Sequence, residues 1–353
     1  MKKGKVYIIG AGPGDPGLIT LKAVEALRLA DVVIYDNLVN EELLKYAPSR
    51  ARFIYAGKKG GDHTLSQDKI NELLAREGQA GNIVARLKGG DPFIFGRGGE
   101  EVEVLVAKGV SFEVIPGVTS AIAVPAYAGI PLTHRGLTST VAFITGHEDP
   151  TKDKSDIDWQ ALVGIGTLVF LMGVKNLSLI TEALIARGKA PQTPAALIRR
   201  GTSPKQQILT GTLATIVELA QINHFKPPAI LVVGHVVELR ETLRWFDTQP
   251  LFGKGVVITR PERQADDLAN LLTAQGALPI AFPTIRINPP ADWNELDAAL
   301  DQLESFHWLI FTSANGVHFF FERLYQRGRD VRDLKGIHIC SIGPATARQI
   351  EAR

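Results

Sequence analysis

Four glycines between residues 10 and 17 have the spacing of a ligand cradle. They stand in Val6-Tyr-Ile-Ile-Gly-Ala-Gly-Pro-Gly-Asp-Pro-Gly-Leu-Ile-Thr20. Val6 to Ile9 read as a buried strand, and Leu18, Leu21, Val24 and Leu27 as the inner face of a helix. Glycine lets backbone approach a ligand closely, and a helix start offers free N–H groups. A dinucleotide fingerprint, G-x-G-x-x-G, would need a glycine where Asp15 stands. Pro13 and Pro16 also remove two N–H donors that would cradle a pyrophosphate. A plain strand-to-helix turn without a ligand is the competing reading.

Other turns of the same kind follow. Asp31-Val-Val-Ile-Tyr-Asp36 is a strand ending in a carboxylate, a suitable place for a general base. The alternatives for Asp36 are a solvated turn residue or a ribose-binding acid. Gly57-Lys-Lys-Gly-Gly-Asp-His63 is a basic loop, in which a solvated lysine needs no special role. Arg86-Leu-Lys-Gly-Gly-Asp-Pro-Phe-Ile-Phe-Gly-Arg-Gly-Gly-Glu100 is a second glycine turn leading into a helix, and Pro116-Gly-Val-Thr-Ser120 is a third. Ligands of open parallel sheets sit outside the carboxyl ends of strands, so several such turns on one edge imply a sizeable ligand.

These turns need a frame, and the sequence supplies one of alternating strands and helices. Apolar strand-like runs lie at 6–9, 31–35, 82–87, 111–115, 140–145, 167–172, 195–198, 229–233, 256–260, 308–312 and 337–342. Between them, faces such as Ile70, Leu73, Leu74 and Leu268, Leu271, Leu272 repeat at helical spacing. That alternation predicts an α/β architecture with largely parallel sheets. Gly129-Ile-Pro-Leu-Thr-His-Arg-Gly136 is a turn-rich seam between two blocks. Thr248-Gln-Pro-Leu-Phe-Gly-Lys-Gly255 is a second, resembling a domain fusion. The expected division is 1–133, 134–247, a linker over 248–254, and 255–353.

Composition narrows the function classes. Lys+Arg number 39 against Asp+Glu 37, so no bulk basic field suggests nucleic acid. No stretch is long enough to span a membrane, and Lys2-Lys3 precede an apolar run too short for a signal peptide. Cys340 is the single cysteine, which excludes an internal disulfide and fits a reducing compartment. A cytoplasmic location follows. The apolar run around Cys340 predicts a buried, inert thiol. The eight histidines show no close ligand spacing, so no metal site is expected.

Six motifs, in order, resemble tetrapyrrole methyltransferases, and among them those acting on uroporphyrinogen III. They are Gly10-Ala-Gly-Pro-Gly-Asp-Pro-Gly17, Asp31-Val-Val-Ile-Tyr-Asp36, the run 86–100, Gly129-Ile-Pro-Leu-Thr-His134, Leu168-Val-Phe-Leu-Met-Gly173 and Pro228-Ala-Ile-Leu-Val-Val-Gly234. The resemblance runs from about residue 5 to residue 246. It implies two α/β domains with S-adenosylmethionine folded into the cleft between them. It places Pro13, Gly89, Gly90, Asp91, Ile94, Thr119, Ser120, Met172, Gly201 and Ala229 against that cofactor. Position 120 is often alanine in the family. Asp91 would accept bonds from ribose hydroxyls or the methionine amine. Met172 as core filler needs no ligand at all. The family pattern makes Asp36 the proton acceptor and Lys58 the proton donor, since a pyrrole acceptor sheds a proton on methylation. Lys59, His63, Arg97, Arg135, Arg199 and Arg200 suit the carboxylates around the substrate. The resemblance also implies a homodimer and a place in sirohaem or cobalamin synthesis.

From Gly255 the sequence resembles the start of a uroporphyrinogen-III synthase, a flavodoxin-like α/β domain. The matching runs are Val256-Val-Ile-Thr-Arg-Pro261, Trp308-Leu-Ile-Phe-Thr-Ser-Ala-Asn-Gly-Val317 and Ile342-Gly-Pro-Ala-Thr346. A two-lobed domain of this kind needs about 250 residues, so 255–353 is expected to be partial and inactive alone. Thr312, Ser313 and Asn315 would belong to its substrate surface. Two other functions compete: a nicotinamide-dependent oxidoreductase, against which Asp15 speaks, and a non-catalytic nucleotide sensor. A methyltransferase acting on a later corrinoid is the alternative within the family.

Overall fold

The computed structural model describes residues 4–57, 65–147, 155–261 and 265–353. The first sheet holds β1 (Lys5–Gly10), β2 (Val32–Tyr35), β3 (Arg52–Tyr55), β4 (Ile83–Lys88) and β5 (Ser111–Ile115). Its order is β3-β2-β4-β1-β5, and every pairing is parallel. The strands are apolar on both faces because helices cover both. Ala23, Ala26 and Leu27 of α1 (Leu21–Arg28) pack on Ile9, Val33 and Leu87. Ile70 and Leu74 of α2 (Gln67–Gln79), with Leu105 of α3 (Gly98–Ala107), pack on Val6, Ile8, Ile34 and Val84.

The helix after β5, α4 (Ser120–Tyr127), packs elsewhere. Its Ala121 and Val124 lie on one face of a second sheet, against Val169, Leu171, Ala196, Ile198 and Ile230. That sheet comprises β6 (Val141–Thr145), β7 (Thr167–Leu171), β8 (Pro194–Arg199), β9 (Gln207–Thr212) and β10 (Ala229–Val233), in the order β6-β7-β10-β8-β9. Its other face carries α5 (Trp159–Val163), α6 (Leu177–Ala186) and α7 (Ile216–Ile222), around Phe170 and Leu197. A short helix, α8 (Arg240–Leu243), follows.

The expectation of largely parallel sheets needs correction here. β10 runs antiparallel to β7 and β8, and β9 antiparallel to β8. Residues 200–206 are too few for a crossover between parallel neighbours, so β9 folds straight back on β8. All eleven expected strands occur, and among the described residues three unforeseen ones join them: β3, β9 and, further on, the strand Leu278–Ala281. β3 and β9 are sheet edges, where half-exposed strands such as Gln207-Ile-Leu-Thr-Gly-Thr212 lack an apolar run.

Two compact units result, residues 1–256 with 271–278, and residues 257–270 with 279–353. β11 (Gly255–Ile258), α9 (Asp266–Ala274) and β12 (Leu278–Ala281) lie along the sequence where these ranges alternate. In the second unit α10 (Asn294–Asp301), β13 (Trp308–Phe311), α11 (Ala314–Gln326), β14 (His338–Ser341) and α12 (Pro344–Glu351) surround Leu300, Phe311, Val317, Phe321 and Leu324. β13 and β14 pair in parallel as a two-stranded sheet. Ile310 and Cys340 share its open face, so the thiol is exposed and the expectation of a buried one is overturned. A sheet of two strands packed on one side leaves alternate residues outside whatever their hydrophobicity.

Candidate active site

The carboxyl ends of β1, β4 and β5 meet through backbone. Ala11 N–H donates to Lys88 O at 2.8 Å, and Gly12 and Gly90 exchange hydrogen bonds of 3.2 and 2.7 Å. A Cβ at Gly10 would lie 2.4 Å from Gly117 N, so only glycine permits this approach. Gly90 differs. Its φ is +69°, and a Cβ there would meet nothing nearer than Ser120 N at 3.7 Å. A small group beside it would make ordinary contact with the start of α4 and no clash.

Asp91 holds these turns together. Its Oδ1 accepts from Phe93 N–H at 2.8 Å and its Oδ2 from Gly117 N–H at 3.0 Å. Each carboxylate oxygen keeps a lone pair for a ligand. Thr119 caps α4, accepting from Ala121 N–H, and places Ser120 at its first turn. Ile94 and its neighbour Phe93 are exposed. Pro13 is half-buried in the first glycine turn.

Met172, Gly201 and Ala229 occupy one edge of the second sheet. Ile230 pairs with Leu171 and Ala229 with Arg199, which puts Ala229 between the ends of β7 and β8. Met172 is half-exposed at 50% and has φ +58°, a strained conformation for a non-glycine residue. A core filler would be buried and relaxed. Gly201 is pressed on α4, where a Cβ would stand 2.4 Å from Val124 Cγ1. The two edges face each other: Asp15 N–H donates to Thr202 Oγ1 at 3.2 Å, and Tyr127 O–H donates to Asp15 Oδ2 at 2.7 Å. Burial, then this bond to Asp15, pushes the Tyr127 phenol well above its usual range. Asp15, which breaks the dinucleotide pattern, is thus a joint between the glycine turn and the second sheet.

Asp36 follows β2 and is about a quarter exposed, with a side-chain accessibility of 27%. Its Oδ1 accepts from Leu38 N–H at 3.2 Å, and Arg86 approaches its Oδ2 at 3.6 Å. Behind Arg86 lies a buried charge set. Glu101 of α3 is fully buried, and its Oε1 accepts from Arg86 Nε at 3.1 Å, Lys88 Nζ at 2.7 Å and Gln67 Nε2 at 3.2 Å. Burial, and secondarily the Arg86 cation, hold the Lys88 ammonium below its usual range while Glu101 opposes the shift. Removing one member of such a set costs about 3–5 kcal/mol. Sequence reasoning missed these three residues. The available signal was Arg86 and Lys88, two charges at alternate positions of an otherwise apolar strand.

Lys58, Lys59 and His63 lie outside the described residues. Arg97 has φ +57° and forms a two-pronged bond to Glu100 at 2.7 and 2.6 Å on the surface. Arg199 donates to Gln207, Arg200 has φ +49°, and Arg135 is exposed. These cations are dispersed rather than gathered with Asp36. Among the described residues no group of three or more His, Cys, Asp or Glu could hold a metal ion, and no helix is long and apolar enough to cross a membrane. In the second unit Ser313 Oγ accepts from Gly316 N–H and caps α11.

A five-stranded parallel sheet, a five-stranded mixed sheet, and glycine turns where their edges meet define a two-sheet α/β protein with a candidate ligand cradle. Residues 5–217 match the family model described as Tetrapyrrole (Corrin/Porphyrin) Methylases, and this chain belongs to that family. Residues 266–353 match the model described as Uroporphyrinogen-III synthase HemD. The "Porphyrin biosynthesis protein HemD" of Ruminiclostridium josui is 42% identical over 352 residues, which is 99% of this chain and 70% of that protein. The "S-adenosyl-L-methionine-dependent uroporphyrinogen III methyltransferase" of Methanosarcina barkeri is 56% identical over 241 residues, 68% of this chain and 94% of that one. Among solved structures, the uroporphyrin-III C-methyl transferase of Thermus thermophilus complexed with S-adenyl homocysteine aligns with a TM-score of 0.58. It is 41% identical and covers 67% of this chain and 100% of its own.

Proposed function

We propose that this protein methylates uroporphyrinogen III on carbon with S-adenosylmethionine, giving precorrin-2 by way of precorrin-1. The observation that carries the reading is the cradle at Gly90, on a glycine-turn edge that Asp15 and Thr202 join to the second sheet. Relatives named for this activity, which align over two thirds of the sequence, support it.

The cradle suits the cofactor in shape and chemistry. Gly89, Gly90 and the turn through Pro13 would pass its backbone-like methionine portion, and Asp91 would bind its polar hydroxyl or amine groups. Thr119, Ser120, Ile94, Met172, Gly201 and Ala229 would line the remainder. When bound, the cofactor supplies an electrophilic methyl group on a sulfonium. The protein's part is positioning, worth up to about 7–11 kcal/mol, and proton removal. Asp36, at the end of β2 and partly open, is the proton acceptor in this reading, and Lys58 the donor. The dispersed arginines supply rim contacts for substrate carboxylates.

The second unit's reading is a uroporphyrinogen-III synthase portion, which would make the substrate that the first unit consumes. The whole protein then serves sirohaem or cobalamin synthesis in the cytoplasm. A homodimer is supported by the family resemblance and by exposed Leu179 and Ile222 on α6 and α7. The deciding experiment incubates the protein with uroporphyrinogen III and S-adenosylmethionine and weighs the products. Gain of two methyl groups is expected. No methylation of uroporphyrinogen III, with transfer to a later corrinoid, would replace this reading with its sibling.

A further inference from the structure

We propose that Glu101 is a positioning residue for proton transfer, holding Arg86 against Asp36 from inside the first domain. The inference rests on the methyltransferase reading, with Asp36 as proton acceptor.

The geometry is a series of contacts through one buried point. Glu101 has no exposure, and its Oε1 receives three donors from two elements: Arg86 Nε and Lys88 Nζ of β4, and Gln67 Nε2 of α2. The same Arg86 guanidinium extends its far nitrogen to 3.6 Å from Asp36 Oδ2. Arg86 Nη1 donates to Leu87 O at 3.1 Å, which fixes the plane of the fork. Arg86 itself is 3% exposed, so it reaches Asp36 from below rather than from solvent.

Stability alone gives a poor account of this arrangement. Buried ion sets are commonly matched or bettered by apolar packing of the same volume. This one is also incompletely satisfied, since Glu101 Oε2 is buried and has no hydrogen-bond partner among the described residues. A group held at such a cost calls for a role. Formal charge suggests it. Arg86 and Lys88 carry two positive charges and Glu101 one negative, so the set balances when Asp36 is ionised. Glu101 therefore orients the guanidinium and also cancels part of its field at Asp36. Without Glu101 the two cations of β4 beside Asp36 would lack their buried counter-charge. Among the described residues, the charged groups facing Asp36 from packed elements are Arg86 and, two residues further along β4, Lys88.

The test compares Glu101→Gln and Glu101→Asp with the parent and with Asp36→Asn, in the full-length protein. Initial rates of methyl transfer to uroporphyrinogen III are taken across pH, with S-adenosylhomocysteine affinity by calorimetry as the measure of an intact fold. In Glu101→Gln the turnover should fall about 10-fold or more, and the acid limb of its pH profile should move down by about half a unit or more, at nearly unchanged S-adenosylhomocysteine affinity. A merely structural Glu101 would lower the amount of active protein and leave the limb in place. If Glu101→Gln does not fold, Glu101→Asp carries the test. Its carboxylate is withdrawn by about one bond length, ~1.5 Å, so turnover per S-adenosylhomocysteine-binding site should fall about three-fold or more with the limb unmoved, whereas a loss of active protein would leave that ratio at the parental value. Parental turnover and limb in the folded Gln variant, or in the Asp variant where Gln fails to fold, would overturn the proposal while Asp36→Asn stays inactive. Full activity of Asp36→Asn would instead remove the base assignment on which it rests.

Discussion

The Tyr127 hydroxyl donates to Asp15 Oδ2 at 2.7 Å, joining residues 112 positions apart. Asp15 is tied two more ways, its N–H donating to Thr202 and its Oδ1 accepting from Gly17 N–H, and the neighbouring Gly14 O accepts from Asn40. Trp245 and Phe246 stack edgewise on the Tyr127 ring, at 5.0 and 4.8 Å. The glycine turn is therefore set by a side-chain joint as well as by its own sequence.

Tyr127→Phe should lower stability by about 1 kcal/mol, the net worth of one such bond, and weaken S-adenosylhomocysteine binding. Alkali sharpens the test. Burial and Asp15 raise the folded-state ionisation of Tyr127 above its unfolded value near pH 10. The associated stability is complete below that pH and drains away as pH rises toward the folded value. Urea titrations at pH 8 and pH 11 should show a larger loss for the parent than for Tyr127→Phe. Equal losses would mean that the phenol contributes nothing to the joint.

Acid acts at the middle of β5. Glu113 bonds to Lys22 and Lys5 at 2.5 and 2.6 Å, and these bonds hold its carboxyl down to about 2. The lowered value means that the contribution is complete above the ordinary carboxylate range and is lost as pH falls through it toward 2. Solvent and salt screen both lysines, so the effect is small. Glu113→Gln should flatten the stability profile of the parent between pH 4.5 and pH 2 and leave pH 7 activity alone. A profile of unchanged slope would assign acid sensitivity to other carboxylates.

Gly90→Val should abolish S-adenosylhomocysteine binding by at least ~100-fold, because a β-branched residue both fills the cradle and resists φ +69°. Circular dichroism establishes that the variant folds. Parental affinity in a folded Gly90→Val protein would remove the cofactor from this cradle.

Much of this was written in the residues. Apolar-rich strands running into glycine turns, as β1 and β4 do, announce a parallel sheet, and every strand of the first sheet except edge strand β3 was legible as an apolar-rich run. The glycine turns were legible because a backbone approach such as Gly10 to Gly117 tolerates no side chain. What stayed hidden was long-range. Arg86 and Lys88 alternate on a strand, but nothing in one dimension tells that Glu101, on the next helix, lies beneath them. Nor does local pattern reveal that β9 turns back on β8, or that α4 leaves its own sheet to cover another. Cys340 failed because hydrophobicity predicts burial only where a layer exists to bury against.

Asp36→Asn should lower turnover by ~10²–10⁴ and leave cofactor affinity nearly intact. The amide keeps the shape and the contact from Leu38 N–H, and loses the basic oxygen facing Arg86. Stopped assays of methyl transfer and calorimetry with S-adenosylhomocysteine separate the two effects. Surviving turnover with weakened cofactor binding would make Asp36 a ribose ligand.

Residues 248–256 belong with the first unit. The first compact unit extends through Val256 and takes in 271–278. Phe252 lies 5.5 Å from Phe246 in an edge-on pair, continuing the cluster of Tyr127, Trp245 and Phe246. Arg240 bonds Ala128 O and Asp247, so the residues just before this segment grip the end of α4 and stay in both shortened proteins. Two shortened proteins separate its contribution from that of the second unit, one ending at Asp247 and one at Val256. Both lose 271–278 equally. The longer should be more stable by about 1–2 kcal/mol, the worth of one partly buried aromatic pair and its apolar area. At 25 °C both should methylate at close to the parental rate, because neither cut touches Asp36, Glu101 or the Gly90 cradle. Thermal melts and single-turnover methylation measure the two effects independently. Equal melting temperatures would show that Phe252 adds nothing to the cluster. Loss of methylation in both shortened proteins would make residues 257–353 a working part of the methyl-transfer site.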